Sequence, residues 1–388
     1  MTHRLPYRRL AGFYFFYFAY LGTFSPFFSL YLESVGLTAV DIGAVMALPQ
    51  LTRIVAPQLW STLADRSGAP VRVVRLTGVI GTLAFLILFA SSRFGVLLLA
   101  IATMTFFWSA ALPLMEATTL THLGDRTERY GRIRVWGSVG FIAAVVLVGH
   151  ALDHLTLRAV PALVLTMMLG MLLFTWVVPE APGTHHVAES RVRELLRRPH
   201  VAALIAAGAF MAAAHGPYYT FFSIHLVALG YSKAATGWLW ALGVLCEIAI
   251  FMWMPRLYRA FTLRQILIGS FVLAVVRFAV IGWLAGNLLV LLCAQVLHAA
   301  TFGSFHAASI GYVHRYFRGR LQARGQAIYG SLSFGVGGAC GGFASGWVWQ
   351  HAGAGFTFTL GALCAAAGGL VFARWSPRDE PLAGGVNP

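Results

Sequence analysis

At 388 residues the chain is long enough for two or three soluble domains, but 59% of its residues are hydrophobic and only 11% are charged. A soluble globular domain carries about 25% charged residues, so this composition excludes an ordinary soluble protein and points to repeated passage through a bilayer. The net charge of +15 does not indicate nucleic acid, because most basic residues lie between apolar runs, where orientation signals belong.

In chain order, apolar runs broken by charge clusters and turn residues predict twelve membrane helices. They span 10–32, 39–62, 75–91, 96–121, 135–152, 159–178, 201–228, 234–254, 265–285, 288–313, 325–350 and 356–373. Arg4, Arg8 and Arg9 precede the first run, which is too long for a signal peptide and has no small-residue cleavage site after it. It reads as a retained spanning helix. The longest non-hydrophobic interval, PEAPGTHHVAESRVRELLRRPH (179–200), reads as a cytoplasmic linker between an N-terminal six-helix half (1–178) and a C-terminal half (201–388) with a short cytoplasmic tail. With both termini cytoplasmic, 23 of the 28 Lys and Arg residues fall on the cytoplasmic side; only Arg93, Arg158 and Lys233 fall opposite.

The halves repeat. YLESVGLTAVDIGAVMALPQLTR (31–53) overlays HLVALGYSKAATGWLWALGVLCE (225–247) at an offset of 194, placing Gly36 on Gly230 and Gly43 on Gly237. Gly137-Ser138 falls on Gly330-Ser331 at an offset of 193. Two parallel six-helix halves are the arrangement of major facilitator transporters.

Four charges lie inside apolar runs: Arg53 in helix 2, Glu116 in helix 4, Glu247 in helix 8 and Arg277 in helix 9. A lone charge at the bilayer centre costs about 2.5–3.5 kcal/mol on insertion scales, so such residues face the bundle interior and mark a pathway. Two acids and two bases allow two neutralised pairs, and spacing leaves the pairing open. In the repeat Glu247 falls on Arg53, so the halves place opposite charges at equivalent positions. Glu247 reads equally well as a structural ion-pair partner and as a proton-coupling carboxylate. Burial favours the protonated acid and a nearby cation the ionised one, so a substrate anion drawing Arg277 away would favour protonation.

Helical spacing puts Thr236, Trp240, Gly243, Glu247 and Phe251 on one face of helix 8, and Gln295, His298, Phe302, His306 and Ser309 along helix 10. Helix 4 contributes Thr105, Ser109, Glu116 and Thr119, and helix 1 contributes Tyr14, Tyr17 and Tyr20. In helix 7 the stretch AHGPYYTFF clusters His215, Tyr218, Tyr219 and Phe222 around Pro217. Aromatic residues in membrane helices are more often packing or interfacial belts than ligand contacts. Mid-helix histidines are costly in lipid, so His298 and His306 either line a cavity or hydrogen-bond across helices. No acid completes a metal set with them, and the four cysteines lie in apolar runs without CxxC spacing. No GxxxxGK[ST], HExxH or GxSxG occurs, which argues against ATP as the energy source and against an enzyme.

The loop after helix 2, WSTLADRSGAPVRVVR, resembles the major facilitator signature GxLaDrxGrr, with Asp65, Arg66, Gly68 and Arg72 in recognisable positions and Thr62 where the opening Gly is usual. The resemblance implies a charge relay that latches one conformation; a solvated charged turn is the alternative. The helix 4–5 connection, with Arg126, Arg129, Arg132 and Arg134, reads as orientation signal and gate packing.

YGRIRVWGSVGF, LWALGVLCEIAIF, VVRFAVIGW and QVLHAATFGSFHAAS together resemble the 3-phenylpropionate permease group of the major facilitator superfamily, which is related to lactose-permease-type symporters. That group has an acid at Glu247, a base at Arg277, histidines at His298 and His306, and an Asp where this chain has Glu116. The resemblance implies proton-coupled uptake of an aromatic carboxylate such as 3-phenylpropionate. It implies a monomer in the inner membrane that works by alternating access, with protons as coupling ion and no cofactor. Glu247 and Glu116 are then the expected proton carriers, and Arg277 or Arg53 the carboxylate anchor. His298, His306, His215, Tyr218 and Tyr219 supply polar and stacking contacts. The alternatives are a sugar or nucleoside proton symporter, with Trp240 as the stacking residue, and a proton-driven drug exporter.

Overall fold

A computed structural model of the chain describes residues 5–181 and 192–377, and every regular element among them is helical. The middle of the expected linker (182–191), the first four residues with Arg4, and the end of the tail (378–388) lie outside the described residues.

Helix 1 is Tyr7–Ser34, helix 2 Ala39–Ser67, helix 3 Pro70–Phe89, helix 4 Phe94–Leu123, helix 5 Thr127–His154 and helix 6 Leu157–Val177. Helix 7 is Pro199–Ala228, helix 8 Lys233–Ala260, helix 9 Leu263–Leu284 and helix 10 Leu288–Tyr316. The next span, Arg324–Trp375, is 52 residues long, and Gly353 inside it has φ 81° and ψ −175°, outside the helical region. The chain turns there, so this span is helices 11 and 12, and the predicted twelve-helix, all-α polytopic fold is what the chain adopts. Leu99, Leu147, Leu289 and Leu370 are about two-thirds or more exposed, as expected of helices whose outer faces meet lipid.

Several helices are interrupted, and the cause is readable. Helix 2 breaks between Thr52 and Ala56, helix 4 between Trp108 and Ala111, and helix 7 at His215. Pro57, Pro113 and Pro217 follow these breaks. Each lacks the N–H that would close on the carbonyl four residues earlier, and its ring clashes there. Helix 10 carries a π-helical segment at Ala299–Ser304 and helix 11 one at Gly330–Gly337. Such wide turns free backbone groups and concentrate at functional positions. Of the charged and imidazole candidates, Arg53 sits in the first break, Glu116 two turns after the second and His215 in the third, while His298 adjoins the π segment of helix 10.

Backbone packing divides the chain into two compact units, residues 1–187 with 219–241, and residues 188–218 with 242–388. In the first unit helix 1 packs directly on helix 5: a Cβ on Gly22 would stand 2.6 Å from the Phe141 carbonyl oxygen. The end of helix 5 also holds the start of helix 8. Asp153 accepts hydrogen bonds from the backbone N–H of Lys233 (2.8 Å) and Ala234 (3.2 Å), occupying donors that a helix start leaves open. In the second unit helix 7 lies against helix 11 closely enough that a Cβ on Gly216 would overlap the backbone of Gly341. Small residues allow such approaches where lipid offers no hydrophobic drive for association.

Candidate functional site

The second unit holds a continuous polar and aromatic cluster built around Arg277, which is 0% exposed. Its Nε donates to the carbonyl of Ala294 at 3.0 Å, and its Nη1 donates to Thr301 Oγ1 at 3.2 Å. The same Nη1 approaches His215 Nε2 at 3.5 Å. His215 Nδ1 is committed as donor to the Met211 carbonyl at 2.9 Å, so Nε2 is the acceptor facing the guanidinium. The guanidinium lies over the Tyr218 ring, 4.4 Å from its centroid. Buried cation–π contacts of this kind are worth about 2 kcal/mol. Gln295 Nε2 donates to the Tyr218 hydroxyl at 3.0 Å and fixes that ring.

From Tyr218 the rings continue as a ladder. Tyr218 stacks on His298 at 5.7 Å, His298 on Phe302 at 5.4 Å, and Phe302 on His306 at 6.3 Å, with interplanar angles of 25°, 13° and 9°. His298 Nε2 stands 3.9 Å from Glu247 Oε2, while its Nδ1 is buried with no hydrogen-bond partner among the described residues. The π segment permits this contact: Gly303 sits against the Glu247 turn of helix 8, where a Cβ would come within 2.6 Å of Ile250. Glu247 is partly accessible, its side chain 21% exposed. The structure therefore joins five expected residues, His215, Tyr218, Arg277, His298 and Glu247, with His306 at the far end of the ladder.

The first unit holds a second, more open cluster. Glu116 Oε1 accepts a hydrogen bond from the Tyr130 hydroxyl at 3.1 Å and lies 3.8 Å from Arg134 Nε. The Arg134 guanidinium sits 4.0 Å from the Phe18 ring centroid, and the Tyr14 hydroxyl meets Thr119 at 3.1 Å. Arg53 is exposed and donates to Gln50 Oε1 at 3.2 Å within its own helix. Trp240 is also in this unit. It is 4% exposed, its indole N–H donates to Ser223 at 3.1 Å, and it packs against Tyr219 and Phe222.

Of the residues expected in the loop after helix 2, Asp65 and Arg66 lie in the last turn of helix 2, Gly68 ends that helix with φ 62°, a left-handed turn, and Arg72 lies in the first turn of helix 3; all four are exposed. The backbone N–H groups of Val71 and Arg72 donate to the Glu180 carboxylate at 3.0 and 2.7 Å. Arg75 donates to the carbonyls of Thr175, Trp176 and Val178 at the end of helix 6. Glu180 thus caps helix 3, and Arg75 caps helix 6.

Reading the sequence alone missed Arg134 and Tyr130 as neighbours of Glu116, Thr301 as a partner of Arg277, and Glu180. Arg134 had a signal: it lies four residues after Tyr130, on one helix face. Thr301 and the precise ladder had none, because a π turn shifts the 3.6-residue period that spacing assumes.

Comparison with known proteins agrees with this architecture. Residues 7–360 match a family described as "MFS_1 like family". A protein of Escherichia coli (strain K12) named "Probable 3-phenylpropionic acid transporter" is 30% identical over 360 residues, covering 91% of this chain and 94% of that one. A maltose permease of Geobacillus stearothermophilus is 25% identical over 381 residues, covering 95% and 94%. The crystal structure of the nucleoside transporter NupG superposes with a TM-score of 0.81 over 95% of this chain and 98% of that one, at 17% identity, which speaks to the fold alone.

Proposed function

The chain belongs to the MFS_1 like family of multi-pass membrane transporters, and from that premise we propose that it takes up a small aromatic carboxylate, such as 3-phenylpropionate, together with protons. The observation that carries this reading is the ladder of near-parallel rings running from a buried arginine to an imidazole–carboxylate pair. An aromatic acid needs a flat apolar surface for its ring and a cation for its carboxylate. The ladder supplies the first. Arg277, held by a neutral hydroxyl, a carbonyl and an imidazole, supplies the second. Glu247 and His298 are two titratable groups 3.9 Å apart, within ion-pair distance, and they stand at the same ladder. A substrate carboxylate that recruits Arg277 changes the field at this pair, and that is the coupling step. Glu116, hydrogen-bonded by Tyr130 beside Arg134, is the second proton carrier in this scheme, and Arg53 a second cation for the anion's path. The loop carrying Asp65, Arg66, Gly68 and Arg72 acts as the latch between conformations. The protein works as a monomer in the inner membrane with both termini cytoplasmic, the 23-to-3 distribution of basic residues supporting that orientation.

The similarity to a maltose permease favours a second reading, a sugar proton symporter, with a nucleoside as the related case. The Trp240 indole N–H is committed to Ser223, which takes it from any sugar hydroxyl. Proteoliposomes with an inward proton gradient and radiolabelled 3-phenylpropionate, maltose and uridine decide between them. Uncoupler-sensitive accumulation of the aromatic acid alone is expected. Accumulation of maltose or uridine without the acid would replace the reading, and outward flux under the same gradient would make the protein an exporter.

A further inference from the structure

Away from the ring ladder, the second unit has a cavity of about 410 Å³ where helix 7 begins and helix 10 ends. Arg198, Arg315 and Arg318 line it with His200 and Tyr316, and no carboxylate is among its described lining residues. We propose that this cavity binds a phosphate group, borne either by an anionic phospholipid headgroup or by a soluble phosphate ester.

Three features support a built site. The three arginines are exposed at the mouth of the cavity. Guanidinium groups match phosphate oxygens in a bidentate fork, which favours phosphate over a simple halide. Arg198 is the N-cap of the first segment of helix 7, Pro199–Ala214, whose dipole adds positive potential at the same mouth. The walls are fixed. His200 lies against the Tyr316 ring at 4.8 Å, and Tyr316 against Tyr312 at 5.5 Å. Phe317, 1% exposed, packs against Gly325 so closely that a Cβ there would overlap its ring. That plug holds Arg315, Tyr316 and Arg318 in place on either side of it. Orientation signals alone need basic residues near the membrane surface, but they do not need them converging on one cavity. Basic pockets at helix ends on the cytoplasmic side are where phosphate headgroups dock, and Leu195, Arg198 and His200 at the end of the expected linker are part of this cavity's lining.

The test is native mass spectrometry and thermal stabilisation of the purified full-length protein. The probes are phosphatidylglycerol, phosphatidylcholine, glycerol 3-phosphate and inorganic phosphate. The cavity variant is Arg315→Gln with Arg318→Gln; the control is Arg256→Gln with Arg259→Gln, which removes two arginines from the end of helix 8. Phosphatidylglycerol is expected to bind the wild type and the control alike. The cavity variant is expected to bind it about 25-fold more weakly, each basic residue near an anionic headgroup being worth about fivefold. Binding of glycerol 3-phosphate or inorganic phosphate with the same dependence on Arg315 and Arg318 supports the site and assigns it to a soluble ester. Equal losses in cavity and control variants, or binding of phosphatidylcholine as strong as phosphatidylglycerol, would overturn the proposal. None of these readouts depends on which solute the protein carries.

Discussion

The two units each hold an acid and an arginine within the membrane helices, and they treat them in opposite ways. Around Glu116 the carboxylate takes a tyrosine hydroxyl directly and stands 3.8 Å from Arg134, with side chains 37% and 30% exposed. Around Arg277 the cation is sealed at 0% exposure and held by uncharged acceptors and an aromatic face, with Tyr218 and His298 stacked on the way to Glu247. An accessible ion pair gains little, because water and salt screen it. A sealed cation is costly unless every contact is in place, so its surroundings respond strongly to any charge that arrives. In the proposed scheme the first cluster is therefore the permissive site and the second the place where substrate and proton are linked.

The largest expected effect sharpens that contrast. Arg277→Ala should lower unfolding free energy by about 3 kcal/mol or more, because it removes charge-assisted hydrogen bonds and strands their buried acceptors, whereas Arg134→Ala should cost about 1 kcal/mol or less. Thermal unfolding of both variants in detergent checks this, and equal losses would erase the distinction. If Glu247 and Arg277 compensate each other, Arg277→Ala with Glu247→Gln should be milder than Arg277→Ala alone. Strict additivity would separate the two residues.

Next in size are the acids. Glu247→Gln should abolish uphill accumulation while leaving substrate exchange across the membrane largely intact, since exchange returns the carrier without releasing a proton. Glu116→Gln should reduce accumulation less. Counterflow and gradient-driven uptake, measured on the same proteoliposomes, separate the two activities. Tyr218→Phe keeps the ring under Arg277 but removes the acceptor for Gln295. A loss of about 1 kcal/mol in stability is expected, with a severalfold rise in KM for the aromatic acid and little change in the maximal rate. The smallest effect belongs to the Glu116–Arg134 pair, whose coupling in a double-mutant cycle should fall below about 1 kcal/mol.

Much of this was legible in the sequence. Twelve apolar runs became twelve helices, and the charges that interrupt them, Arg53, Glu116, Glu247 and Arg277, occur where lipid makes a charge expensive. The prolines that break helices 2, 4 and 7 were visible as residues, and their consequence follows from the missing N–H. What spacing alone did not reveal is which side chains meet. The π segment of helix 10 alters the register between His298 and His306, and Glu180, within the expected linker, caps helix 3 through contacts over a hundred residues apart. Arg134 was hidden among arginines whose spacing suits an orientation signal equally well. Local pattern reports the cost of a buried charge; only tertiary packing reports its partner.

The central claim, that the ladder from Arg277 to Glu247 links an aromatic carboxylate to a proton, is tested most directly by recording external pH as 3-phenylpropionate is added to proteoliposomes without an imposed gradient. The wild type should alkalinise the medium beyond protein-free liposomes, and Glu247→Gln should not. Undiminished alkalinisation in Glu247→Gln, or none in the wild type during uptake, would contradict it.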